Sequence, residues 1–107
     1  MANAKIVNTP SQAIPQSNST HHQRTVSSSS VSIIDFSFQT DTLHVLMQFN
    51  GGNARVTFDG TAPTTSKGFI YPDGSTAYLT KAMASAAKAI RAGATDVIVE
   101  IQELNFL

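Results

Sequence analysis

Three histidines and seven acidic residues are the side chains of this 107-residue chain best able to carry chemistry. His21 and His22 are adjacent, and neighbouring imidazoles can bind a metal. Metal sites need three or four ligands, and no third stands close by, so the pair reads as part of a solvated tail. His44 falls on the outward face of an alternating segment and reads as a surface or interface histidine. Asp35, Asp41, Asp59 and Asp73 are scattered, and two of them precede glycine, where aspartate has an ordinary turn role. No Ser-His-Asp pattern is present. Gly51-Gly52 lacks the following helix and lysine of a phosphate loop. Lys81, Lys88 and Arg91 form a small basic patch of the kind that is usually solvated. No catalytic, cofactor-binding or metal-binding residue is assigned, no cofactor is expected, and the chain is read as not an enzyme.

The elements that position these residues follow from composition and periodicity. Seven basic residues balance seven acidic ones, and charged residues make up 13% of the chain. Ordinary soluble domains carry about 25%. A balanced, weakly charged surface argues against nucleic acid, whose phosphates call for a basic excess, and tolerates contact with other protein. No stretch approaches the roughly 20 apolar residues of a membrane-spanning helix, and no membrane partner is expected. The first residues lack the apolar run of about 7–15 residues that marks a cleaved secretory signal. With no cysteine, the chain has neither disulfides nor thiol chemistry.

The pattern divides near residue 30. Residues 1–30 have few apolar side chains and no period, contain Pro10 and Pro15, and end in the serine run Ser27 to Ser30. Such a segment does not bury enough apolar surface to offset its ordering entropy. It reads as an extended arm reaching roughly 100 Å at about 3.3 Å per residue. Ile6, Val7 and Ile14 are its candidate partner-binding residues. Removing the arm is expected to leave the rest folded.

Residues 31–107 read as the β-rich domain. Val31 to Phe38 predicts a strand with Ile34, Phe36 and Phe38 on one face. Leu43, Val45, Met47 and Phe49 alternate with His44, Leu46 and Gln48, and Ala54, Val56 and Phe58 alternate with Arg55, Thr57 and Asp59. The intervening Asn50-Gly51-Gly52-Asn53 predicts a hairpin with Phe49 opposite Ala54, Met47 opposite Val56 and Val45 opposite Phe58. A long loop, Asp59 to Gly68, leads to a short strand at Phe69 to Tyr71, a turn at Pro72-Asp73-Gly74 and a further strand at 76–79. Leu79, Ala82, Met83, Ala86, Ala87 and Ile90 recur at helical spacing, with Thr80 as N-cap and Gly93 as the stop. Asp96 to Leu104 closes the chain as a strand with Val97, Val99 and Ile101 on one face. Phe106 and Leu107 follow as apolar contact points. The fold class is mainly β with an α+β flavour: a small antiparallel sandwich or open barrel, one Ala-rich helix before the last strand, and the arm in front.

Two resemblances bear on function. Arg55 to Thr64, running R-V-T-x-D-G-T-x-P-T, then Gly68, the P-x-G turn, the Ala-rich segment ending in K-A-I-R-A-G and the alternating Val/Ile strand, resemble small virion structural proteins of tailed bacteriophages. The likeness spans about residues 43–104. It singles out Asp59, Gly60, Thr61, Pro63, Thr64 and Gly68 as a loop motif. Aspartate and glycine make the turn, threonines satisfy loop backbone groups and proline stiffens the loop. The D-G-T-x-P-T element is also similar to immunoglobulin-like accessory domains of glycan-active enzymes. Those domains rely on aromatic platforms, and this chain has no Trp and two tyrosines, Tyr71 and Tyr78.

The first resemblance implies a virion protein made in the bacterial host cytoplasm, most concretely a capsid decoration or cement subunit. It implies a homo-oligomer, around a threefold axis, bound to the major capsid protein. A head-to-tail connector or tail component is the neighbouring alternative, and a glycan-binding module the alternative of another class. A body of about 77 residues without disulfides has a marginal core, which association would supplement.

Overall fold

The computed structural model describes residues 14–106, of which Ile14 is the first and Phe106 the last. Nine strands and one short helix follow one another: β1 (Pro15–Ser17), β2 (His22–Val26), β3 (Val31–Ser32), β4 (His44–Asn50), β5 (Ala54–Thr57), β6 (Phe69–Tyr71), β7 (Thr76–Thr80), α1 (Lys81–Ala86), β8 (Lys88–Arg91) and β9 (Val97–Phe106). They build two antiparallel sheets. One has the order β1-β9-β4-β7, with β2 also on β9; the other has the order β3-β8-β5-β6. The described residues thus form a small, mainly β sandwich, with one helix before the last two strands.

Period-two alternation builds the core. Val45, Met47 and Phe49 of β4 are at most 1% exposed, and Val97, Val99 and Ile101 of β9 are fully buried beside them. Ala54, Val56 and Ala89 close the core from the other sheet. Ile33 is fully buried, while Ile34, Phe36 and Phe38 pack partly buried against the cluster. Their stretch is irregular, however: the strand expected over Val31 to Phe38 keeps only Val31 and Ser32. The strands expected at 69–71, 76–79 and 96–104 are present, the last extended to Phe106.

The expected hairpin between β4 and β5 does not form. β4 pairs with β7 and β9, whereas β5 pairs with β6 and β8 in the opposite sheet. Asn50 to Asn53 is an arch that carries the chain from one sheet to the other. Two strands whose apolar faces turn toward each other across a core have the same alternation as two strands side by side, so periodicity does not separate these cases. A second crossing locks the first. The Ser75 N–H donates to the Pro72 carbonyl at 3.0 Å, making the expected turn, and the Asp73 carboxylate accepts from the Gly51 N–H at 2.9 Å. The Asp73 N–H in turn donates to the Asn53 side chain at 3.0 Å.

The helix is also shorter than its periodicity suggests. Thr80 caps it as expected, its hydroxyl accepting from the Met83 N–H at 3.3 Å. By Ala87 the backbone is extended (φ −70°, ψ 126°), and Lys88–Arg91 is a strand held by β3 on one edge and β5 on the other. Gly93 lies in the connection between β8 and β9 and stops no helix. Helix propensity is worth only a few tenths of a kcal/mol per residue, and ladder bonds on both edges together with burial of Ala87 and Ala89 override it.

Residues 14–30 do not form a free arm. β1 and β2 both lie along β9, with Pro15 opposite Phe106 and Val26 opposite Val97. Val26 is fully buried. The boundary expected at residue 30 therefore cuts through the sheet. Four residues, Asn18 to His21, stand opposite two, Gln102 and Glu103, so β1 and β2 form one strand broken by a wide bulge. The low hydrophobicity of this segment is compensated by β9, which supplies the ladder and the apolar neighbours. Removal of residues 1–26 takes away one flank of β9 and the Val26 side chain. Contrary to the expectation for a detachable arm, the truncated chain should lose its cooperative thermal transition in circular dichroism.

Candidate functional site

The loop between β5 and β6 builds a concavity beside the second sheet. It is an open groove of about 500 Å³ lined by Val56, Thr57, Phe58, Asp59, Thr61, Lys67, Gly68 and Phe69. Its floor is apolar. Phe58 and Phe69 approach with ring centroids 5.9 Å apart, and Phe69 is 67% exposed. Phe58 also meets Tyr71 edge-on at 6.4 Å, which connects the floor to the core through the Tyr71–Phe49 stack. Lys67 and Asp59 bring one charge of each sign to the lining.

The loop motif divides between lining and scaffold. Asp59, Thr61 and Gly68 line the groove, whereas Pro63 is buried and Thr64 holds the tip of the loop. The Asp59 carboxylate accepts from the Thr61 hydroxyl at 2.6 Å and from its N–H at 3.1 Å. These two bonds, the hydroxyl first, hold the Asp59 carboxyl below the usual carboxylate range. Thr64 and Lys67 exchange backbone hydrogen bonds of 3.0 and 3.2 Å across a two-residue tip. Gly60 has φ +85°, the left-handed conformation that the Asp-Gly turn requires. Gly68 has φ +127°, and a Cβ there would lie 3.1 Å from the backbone N and O of Val56. The Arg55 guanidinium seals that junction by donating to the Gly68 carbonyl at 2.9 Å.

A second polar centre is built on the bulge. Glu103 is 1% exposed. It accepts from the Thr42 hydroxyl at 2.6 Å and the Gln39 N–H at 2.7 Å, and His22 Nε2 lies 3.3 Å away. Burial by itself raises this carboxyl. The bonds from Thr42 and Gln39, with contributions from Ser19 and His22, outweigh that and hold it below its ordinary value. The His22 ring stacks on Phe36 at 3.6 Å. Asp41 binds Asn18 at 2.7 Å and Asn105 at 2.6 Å, closing the same end. His21 faces Glu100 at 2.6 Å on the surface, and that bond lowers the Glu100 carboxyl most strongly, with Gln23 adding to it. The two histidines thus point at two different carboxylates rather than at a shared ligand position. Thr42, Gln39, Glu103 and His22 join the irregular 33–43 segment to β2 and β9, a structural use of ionisable groups.

The third cluster lies on the outer face of the β9-β4-β7 layer. His44 stacks on Tyr78 at 5.1 Å and meets Phe106 edge-on at 5.0 Å. Tyr78 is 50% and Leu46 42% exposed. Of the expected arm contacts, Ile14 is 57% exposed, whereas Ile6 and Val7 lie outside the described residues. Glu103 had no place among the candidate residues in sequence. Its signal was parity: it continues the inward series Val97, Val99, Ile101. Phe69 and Tyr78 carried no comparable mark. No protein-family model, curated protein or solved structure matches the chain.

Two measurements check this geometry. Gly60→Ala and Gly68→Ala both incur the positive-φ strain of about 1–2 kcal/mol, but only the second also presses on Val56. Chemical denaturation should rank Gly68→Ala as the more destabilised variant. For Glu103, the folded-state value is depressed, so its stabilisation is present above the unfolded value and is lost as pH falls through the folded one. Glu103→Gln should therefore be less stable than the parent by about 2 kcal/mol at neutral pH. The difference should shrink in acid, as followed by urea midpoints across a pH series.

Proposed function

We propose that this chain is a non-enzymatic structural subunit of a tailed-bacteriophage virion, most concretely a capsid decoration or cement protein. In this reading the apolar groove grips an assembled partner, for which the major capsid protein is the first candidate. The observation that carries the reading is Phe69, an aromatic ring left 67% exposed on the floor of a groove that Asp59, Thr61 and Gly68 of the loop motif help to line. Exposed rings in concave apolar surfaces are anchors for protein partners. The sequence resemblance supplies the virion setting. The low charge of the chain agrees with a surface that meets other protein. Binding only the assembled shell would stabilise it by linkage, as any ligand selective for one state does.

The test is co-sedimentation of the purified chain with assembled tailed-bacteriophage capsids. The parent chain should pellet with the particles. Phe69→Asp, exposed and therefore compatible with folding, should reduce retention at least tenfold while its thermal transition stays in place. Parent chain that stays in the supernatant while binding oligosaccharides saturably would replace this reading with the glycan module. Pelleting with neck or tail fractions alone would move it to a connector.

A further inference from the structure

The two lateral sides of the sandwich are finished differently. On one side the outer strands are blunted by features that discourage strand addition. β1 has three residues and begins with Pro15, which has no N–H to offer. β3 has two residues. β2 carries Arg24, which donates to the Ser32 carbonyl at 3.0 Å and lies 3.3 Å from the Asp35 carboxylate, bridging the two sheets. On the other side β6 is as short as β1, with three residues, but the edge of the first sheet has none of these devices. β7 is a five-residue outer strand of Thr76, Ala77, Tyr78, Leu79 and Thr80, with no charge, no proline and no bulge. Among the described residues no strand covers its free edge. A long, uncharged, β-prone edge left open is a pairing template.

We infer that β7 pairs antiparallel with β7 of a second copy of this chain across a two-fold axis centred on Tyr78. Ladder geometry selects this register. The backbone groups of an edge strand that point outward belong to alternate residues, so antiparallel self-pairing joins residues of equal parity and must be centred on a residue. Full overlap of the five residues puts that centre at Tyr78. Thr76 then faces Thr80 of the second copy, and Ala77 faces Leu79. Lys81, the first charge beyond the strand, falls opposite Ser75, so no like charges meet. Ala77 and Leu79, 8% and 7% exposed, continue the inner face. The two half-exposed Tyr78 rings come together on the outer face. Each is already stacked on its own His44, which in turn touches Phe106. The result is one aromatic row running through both subunits and one continuous sheet. The self-complementarity is what an isologous contact requires. Threefold association would have to use another face.

The pairing rests on the reading of the chain as an assembly subunit, and its test needs only the purified chain, so it fails or holds independently of particle binding. The protein has no cysteine, so single introduced thiols report unambiguously. At the two-fold centre the Tyr78 Cα atoms would be about 4.5–5.5 Å apart, within disulfide reach. Thr76 of one copy would lie four residues from Thr76 of the other, about 13 Å away and out of reach. Under mild oxidation Tyr78→Cys should become a covalent dimer as the main species, and Thr76→Cys should not. A mixture of Thr76→Cys and Thr80→Cys chains should cross-link with each other. Tyr78→Lys should weaken self-association at least tenfold in sedimentation equilibrium, with an unchanged melt. Equal cross-linking of Tyr78→Cys and Thr76→Cys overturns the register. A parent chain that is monomeric at its highest soluble concentration overturns the pairing. So does self-association that survives Tyr78→Lys but is lost on removal of residues 1–13, which would assign the contact to that segment instead.

Discussion

The structure depends on a strand that is hydrogen-bonded on both edges and buried on one face. β9 runs for ten residues. β4 takes the edge from Ile98 to Leu104, and β2 and β1 share the opposite edge. Every strand of that layer except β7 is attached to it directly. Its inward series Val97, Val99 and Ile101 forms the centre of the core, and the next inward position, Glu103, anchors the irregular segment through Gln39 and Thr42. The partners of β9 lie far away in sequence: His22 faces Ile101, and His44 faces Leu104. Most of the ordering entropy must be lost before these contacts form, the situation that makes β sandwiches slow to fold.

The strands with a clean period of two were legible before any fold was known, because alternation records burial of one face. Val45, Met47 and Phe49 of β4, and Val97, Val99 and Ile101 of β9, fall where their pattern puts them. Partnership was not legible. The arch at Asn50 to Asn53 and a hairpin ask for the same turn-prone residues and the same alternation, and only the competing strands β7 and β9 decide between them. The segment from Lys81 to Arg91 shows the opposite failure. Its alanines suit a helix, yet after Ala86 they are small enough to lie flat between β3 and β5 under the facing sheet. β2 was hidden because its own residues bury little; its stability comes from β9.

The site divides along the same line. The turn chemistry of Asp59, Gly60 and Thr61 could be read locally, since an Asp-Gly pair with a following threonine specifies its own hydrogen bonds. That this loop encloses an apolar groove depended on Phe58 and Phe69 meeting across β5 and β6, a contact between residues that no local pattern relates. The inward-facing glutamate follows a similar logic. Parity placed it inside, but its partners are on a segment with no regular structure. Polar groups so deep in a small sandwich fix one arrangement of the surrounding loops, because each alternative leaves a buried carboxylate without donors.

The antiparallel registry of β1 with β9 brings Pro15 beside Phe106. A load applied between these two points pulls across the ladder rather than along it, so the bonds of β1 break one after another and not together. The Asn18 to His21 bulge then acts as a stop: beyond the three paired residues of β1, peeling must next break the bonds of Asn18 to Asp41 and Thr42 and the contact of His22 with Glu103. The sandwich would thus respond to tension in two stages, a soft release of β1 followed by a stiff resistance at the bulge. This gives the molecule a short extensible link where the first and last described strands run side by side.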